Sequence, residues 1–111
     1  MLDELTFRRN AERAIESLKQ KLIAAEEAGG FEVEEQNGVL NIVFDDPPAK
    51  FVITPNAPVR QIWISALATS FKLDWSDAEK DFVHPKDSLT LKPLIASLIN
   101  QQLGAEAVRL E

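Results

Sequence analysis

From Asp3 to about Ala28 the chain holds neither Pro nor Gly, and Phe7, Ala11, Ala14, Leu18, Leu22 and Ala25 recur at gaps of three and four. That spacing predicts one long amphipathic helix. Gly29 and Gly30 end it, because glycine takes a positive φ without a Cβ clash. Strand patterns follow at once: Phe31 to Gln36 and Val39 to Phe44 flank Asn37-Gly38, the dipeptide favoured where both central hairpin residues need positive φ. Asp45-Asp46-Pro47-Pro48 makes the next turn, and Lys50 to Thr54 reads as a third strand. Pro55-Asn56-Ala57-Pro58 breaks it before Val59 to Ala66 resumes the pattern, and Phe71 to Trp75 and Asp81 to His84 supply shorter strands. Ser88 or Thr90 then caps a second helix built on Leu91, Leu94, Ile95, Leu98 and Ile99, with Pro93 in its first turn and Gly104 at its end.

Five or six short strands with tight connections favour an antiparallel sheet, and the order helix, strands, helix makes the fold class α+β. The expected architecture is an α-β sandwich with both helices packed on one face of a five- to six-stranded antiparallel sheet, in a single domain over residues 1–111. The other face is left without a cover. Period-two alternation sends Ile62 and Ile64 to one side of their strand and Gln61, Trp63 and Ser65 to the other, so Trp63 faces water if the isoleucines face the helices. Trp75, beside Phe71 and Leu73, is the expected core tryptophan.

Composition narrows the chemistry. With no Cys there is no disulfide framework, thiolate metal site or Cys nucleophile. No apolar run approaches the ~18 residues of a membrane span, and MLDELTFRRN has neither a signal-peptide core nor the acid-poor character of a transit peptide. A mature chain, away from membranes, is therefore expected. The formal charge of −6 resides in residues 1–46, with 11 acids against 5 bases, while the rest of the chain balances 7 against 7. That sign disfavours a nucleic-acid partner and attracts cations or basic protein surfaces. The lone His84 has no neighbouring acid or nucleophile motif, Asp45-Asp46 belongs foremost to a turn, and no Gly-rich phosphate loop exists.

The segments LDELTFRRNAERAIESL, NGVLNIVF, FVITPNAP, RQIWIS and FKLDW together resemble the frataxin family from Leu2 to about Leu103, most specifically in Gln61-Ile62-Trp63-Ile64-Ser65 after Pro58, with Asp74-Trp75 at a matching distance. The resemblance implies two helices against an antiparallel sheet, weak binding of ferrous or ferric iron on an acidic ridge, and contact with the cysteine desulfurase and scaffold of iron–sulfur cluster assembly. The acids it marks here are Asp3, Glu4, Glu12, Glu16, Glu27 and Glu32. Carboxylate oxygens suit iron as a hard cation, and the spacing of four puts Glu12 and Glu16 on one helical face. The partner-binding residues it marks are Gln61, Trp63, Lys72 and Thr54, the last standing where the family commonly has Asn. Arg8, Arg13, Lys19, Gln20 and Lys21 divide the acidic ridge into islands, which lowers the expected iron affinity.

Three readings follow. The leading one is a non-enzymatic iron-binding adaptor that regulates or feeds cluster assembly, monomeric and cytoplasmic in a bacterium rather than in a mitochondrial matrix. The second is a weak ferroxidase that stores iron in iron-dependent oligomers; the broken ridge argues against it. The third is an acidic interaction module without iron, because Glu4 with Arg8 and Arg9 with Glu12 are also the pairs of any solvated helix face.

Overall fold

The computed structural model describes residues 3–45 and 48–110, so Asp46 and Pro47 of the expected turn lie outside the described residues. The helix α1 covers Glu4–Ala25, with Asp3 as its N-cap. It stops three residues short of the expected Ala28, because Glu26–Ala28 tighten into a 3₁₀ turn before Gly29 at φ 88°. Its buried stripe is Phe7, Ala11, Ile15, Leu18 and Leu22. Ile15 rather than Ala14 occupies the centre, and Ala14 and Ala25 pack at the margin.

Seven strands follow: β1 Phe31–Gln36, β2 Val39–Asp45, β3 Pro48–Asn56, β4 Gln61–Ala66, β5 Thr69–Ser76, β6 Asp81–His84 and β7 Leu89–Thr90. They form one antiparallel meander in chain order. The count exceeds the expected five or six because the short Leu89–Thr90 pairs with β6. Asn37 at φ 53° and Gly38 at φ 81° make the predicted hairpin turn between β1 and β2. β3 is longer than expected and runs through Pro55, which lies past Ile53, the last β3 residue paired with β2. A missing amide is tolerated where one side of the strand carries no ladder. Val59 belongs not to β4 but to a 3₁₀ turn, from which Arg60 at φ 56° redirects the chain. β5 begins at Thr69, because Leu67 and Ala68 both take positive φ and close a tight hairpin without glycine.

The helix α2, Leu91–Leu103, starts at Thr90, whose side chain makes no capping bond, and stops at Gly104 with φ 74°. Ser88 stands in the preceding turn, so neither hydroxyl acts as the expected cap. Pro93 falls in the first turn, where its missing N–H has no helical partner to lose. Both helices cover one face of the sheet: Leu18, Leu22, Leu94 and Leu98 share a single core with Leu40, Ile42, Ile53, Ile62, Ile64 and Leu73. Phe7 meets Phe82 edge to face at 5.8 Å between ring centroids, which ties α1 to β6. After α2 the chain turns back: Asn100 Nδ2 donates to the Val108 carbonyl, and its Oδ1 accepts from the Ala107 and Val108 amides. Leu110 is thereby brought into the core.

Candidate functional site: an acidic flank and an uncovered sheet face

The marked acids spread over the start of α1, its middle, and the entry to β1. Asp3 is occupied as a cap, its Oδ1 accepting from the Thr6 amide at 2.7 Å, and that bond holds its pKa below the ordinary value. Glu4 pairs with Arg8 at 3.3 Å. Glu16 Oε1 accepts from Gln20 Nε2 at 3.1 Å, and its other oxygen lies 3.2 Å from Lys19 Nζ; Gln20 first and Lys19 second lower its pKa. Lys19 also reaches Glu35 at 3.1 Å, and the two carboxylates raise its own pKa.

Glu12, Glu27 and Glu32 are exposed. Glu12 and Glu16 do share one groove, as their spacing requires, and Glu35 from the hairpin joins them there with Arg8, Asn37 and Pro55. Glu35 was not among the sequence candidates; it enters because the β1–β2 hairpin curls toward α1. Among the described residues no three His, Cys, Asp or Glu side chains converge closely enough to hold one metal ion. The donors are oxygen-only and separated, and they form no closed cage among the described residues.

Glu26 has a different use. Its Oε2 accepts from the Val33 amide at 2.7 Å, on the side of β1 away from β2.

On the uncovered face the register of β3, β4 and β5 places Thr54, Trp63 and Lys72 in one row across the sheet. Gln61 stands in the next row, opposite Asp74. These side chains form a linked set: Asp74 Oδ1 accepts from Gln61 Nε2 at 3.0 Å, and Gln61 Oε1 accepts from Trp63 Nε1 at 2.8 Å. Lys72 Nζ lies 4.8 Å from the centre of the indole. Trp63 is therefore outside the core, as alternation predicts, but half-buried rather than fully in water. Its hydrogen-bond donor is satisfied within the sheet face and Lys72 holds its ring from one side. Thr54 Oγ1 donates to the Pro55 carbonyl at 3.4 Å. Asp74 was not among the candidate site residues, although its place two residues from Lys72 puts it on the same face.

Trp75 takes the opposite face. It packs edge to face on Phe82 at 5.2 Å, and its Nε1 donates to Asp77 Oδ1 at 2.9 Å, so it borders the core instead of filling it. His84 does have a neighbouring acid: the turn after β6 brings Asp87 Oδ1 within 3.1 Å of Nδ1, and the imidazole abuts Phe71. Burial works against ionisation of Asp87, but the bond from the Leu89 amide and the proximity of His84 outweigh it, and its pKa falls.

A family model described as a frataxin-like domain matches residues 1–105. The mitochondrial frataxin of Dictyostelium discoideum is 39% identical over 72 residues, which are 64% of this chain and 37% of that protein. The iron-sulfur cluster assembly protein CyaY of Herminiimonas arsenicoxydans is 23% identical over 109 residues, 96% of each chain. A solved frataxin from Psychromonas ingrahamii superposes with a TM-score of 0.79 at 13% identity, covering 97% of this chain and all of that one. No described helix is long and apolar enough to cross a membrane.

Proposed function

Because the chain belongs to the frataxin-like domain family, we propose that it serves iron–sulfur cluster assembly as a non-enzymatic, iron-binding adaptor, acting as one cytoplasmic domain on a cysteine desulfurase and its scaffold. The observation that carries this reading is Trp63, half-buried on a sheet face no helix covers and held by Gln61 and Lys72. The name of the CyaY relatives, iron-sulfur cluster assembly protein, supports the process. Charge supports the order of events. The acidic residues 1–46 draw in a basic desulfurase surface, which sets the encounter rate and its salt dependence. Trp63, Gln61, Lys72 and Thr54 then form the contact with the scaffold.

Iron is cargo in this reading. Asp3, Glu4, Glu12, Glu16, Glu27 and Glu32 offer it exposed carboxylates that exchange it quickly. Glu12 and Glu16 lead the set because they share the groove with Glu35. The storage reading is disfavoured, since Glu4 and Glu16 are already engaged by Arg8 and Lys19.

Capture from a lysate of the native host, probed for a cysteine desulfurase, tests the partner; its absence from the retained proteins would count against the adaptor role. Iron titration followed by NMR tests the cargo. Shifts are expected around Glu12, Glu16, Glu27 and Glu32 and are expected to weaken with added salt. An isotherm unchanged in Glu12→Gln with Glu16→Gln would remove those two from the ligand set.

A further inference from the structure

The flank of α1 turned away from the acidic groove has the opposite character. Asn10, Arg13, Ala14 and Ser17 form a stripe at helical spacing, and they border a cleft of about 510 Å³ closed by the β5–β6 hairpin and the first turn of α2. Arg13, Lys80 and Lys92 converge on it from those elements. In a chain of net charge −6, none of these cations is in an ion pair among the described residues. Three cations facing a single carboxylate, Asp81, leave the cleft with a net positive charge, which an anion there relieves. α2 begins at the rim with no side-chain cap from Thr90, so its positive end adds to the same field.

One carboxylate stands among the cations. Asp81 lines the cleft half-buried, with Oδ1 accepting from the Phe82 amide at 2.7 Å. Burial raises its affinity for a proton despite the nearby Lys92. A carboxylate repels an anion that bears no proton, because both can only accept hydrogen bonds. It welcomes an oxyanion that retains an O–H to donate. Phosphate keeps such a proton at neutral pH; sulfate keeps none.

We infer that the cleft between α1, the β5–β6 hairpin and α2 binds a hydrogen phosphate group, free or carried by a small phosphomonoester, with Arg13, Lys80 and Lys92 neutralising its charge and Asp81 accepting a hydrogen bond from its O–H. The cleft is of a size to take a small ligand, and Trp75 forms part of its wall for whatever the phosphate carries. The inference is independent of iron and of the adaptor role, since it uses none of their residues.

Amide-detected NMR titration of the intact chain with inorganic phosphate, adenosine monophosphate and sulfate, at fixed ionic strength, tests it. Phosphate is expected to shift resonances around Arg13, Lys80, Asp81 and Lys92 with a dissociation constant on the order of a millimolar, as an open site allows. Sulfate is expected to bind at least about tenfold more weakly, the equivalent of ~1.4 kcal/mol. Equal affinity for phosphate and the nucleotide assigns the site to the phosphate group alone, and tighter nucleotide binding assigns it to a phosphomonoester; both support the inference. Arg13→Gln, an exposed helix substitution, is expected to weaken phosphate binding about fivefold, the loss of one charge-assisted contact. Asp81→Asn retains the oxygen that accepts from Phe82 and is expected to abolish the preference for phosphate over sulfate. Equal binding of sulfate and phosphate by the unmodified chain, shifts confined to other residues, or an Arg13→Gln titration identical to the parent would overturn the inference.

Discussion

Along β4, Ile62 and Ile64 are closed off beneath the helices, whereas Gln61, Trp63 and Ser65 look out from the face that no helix covers. The backbone is common to both sets; only the layer above differs. Apolar area on the inner side is consumed when the chain folds, and its removal is felt as lost stability. On the outer side an indole remains half-uncovered, so part of its apolar area is left for a later event. One strand thus divides its residues between a sealed core and an open face.

The comparison breaks first on the inner side. Leu98→Ala, which opens a cavity between α2 and the sheet, is expected to cost about 2–5 kcal/mol in denaturant melts. A loss under about 1 kcal/mol would mean that α2 does not seal that face. On the outer side, Trp63→Ala is expected to shift the melting temperature far less than Leu98→Ala does. It should remove on the order of 2 kcal/mol or more of binding to the assembly scaffold, along with any stimulation or inhibition of cluster formation. Melts and assembly assays on the same variant separate the alternatives: a large drop in melting temperature would put Trp63 with the core, and full activity would end its role as an anchor.

The smallest effect concerns a polar group at the margin of the covered face. Burial holds the Asp81 pKa above its ordinary 3.8, so the ionised carboxylate opposes folding above the raised value. The penalty fades as pH falls through that value and is gone below 3.8, where the group is protonated in both states. In phosphate-free buffer Asp81→Asn is therefore expected to melt higher than the parent near pH 7 and to lose that advantage by about pH 3. An advantage unchanged by pH would assign the effect to something other than charge.

What could be read in the chain beforehand was what repeats over short distances. Asn37-Gly38 fixed its own turn, the stripe through Phe7, Leu18 and Leu22 fixed the buried side of α1, and alternation put Trp63 opposite Ile62 and Ile64. Illegible features depend on register between distant segments. Lys19 meets Glu35 only once the hairpin has folded against α1; Lys72 is marked beside Trp63 by the resemblance, but its place over the indole rests on the pairing of β4 with β5. That pairing follows from a turn at Leu67-Ala68, two residues without the usual chemistry for positive φ, which left the start of β5 undetected. The returning tail shows no helix or strand pattern; its place is set by the Asn100 side chain and by the burial of Leu110.

The bond from Val33 to Glu26 bears on how the molecule behaves in a crowd of its own copies. A strand at the margin of a sheet offers unpaired amides and carbonyls as a template for a strand from another chain. β7 is too short to serve, but β1 runs for six residues. Glu26 occupies one of the open donors of β1, and Glu32, Glu34 and Glu35 crowd the strand with negative charge. Two such edges brought together would bury a carboxylate against an amide already taken and set acid against acid. The guard against sheet growth from molecule to molecule is thus drawn from the acidity concentrated in residues 1–46.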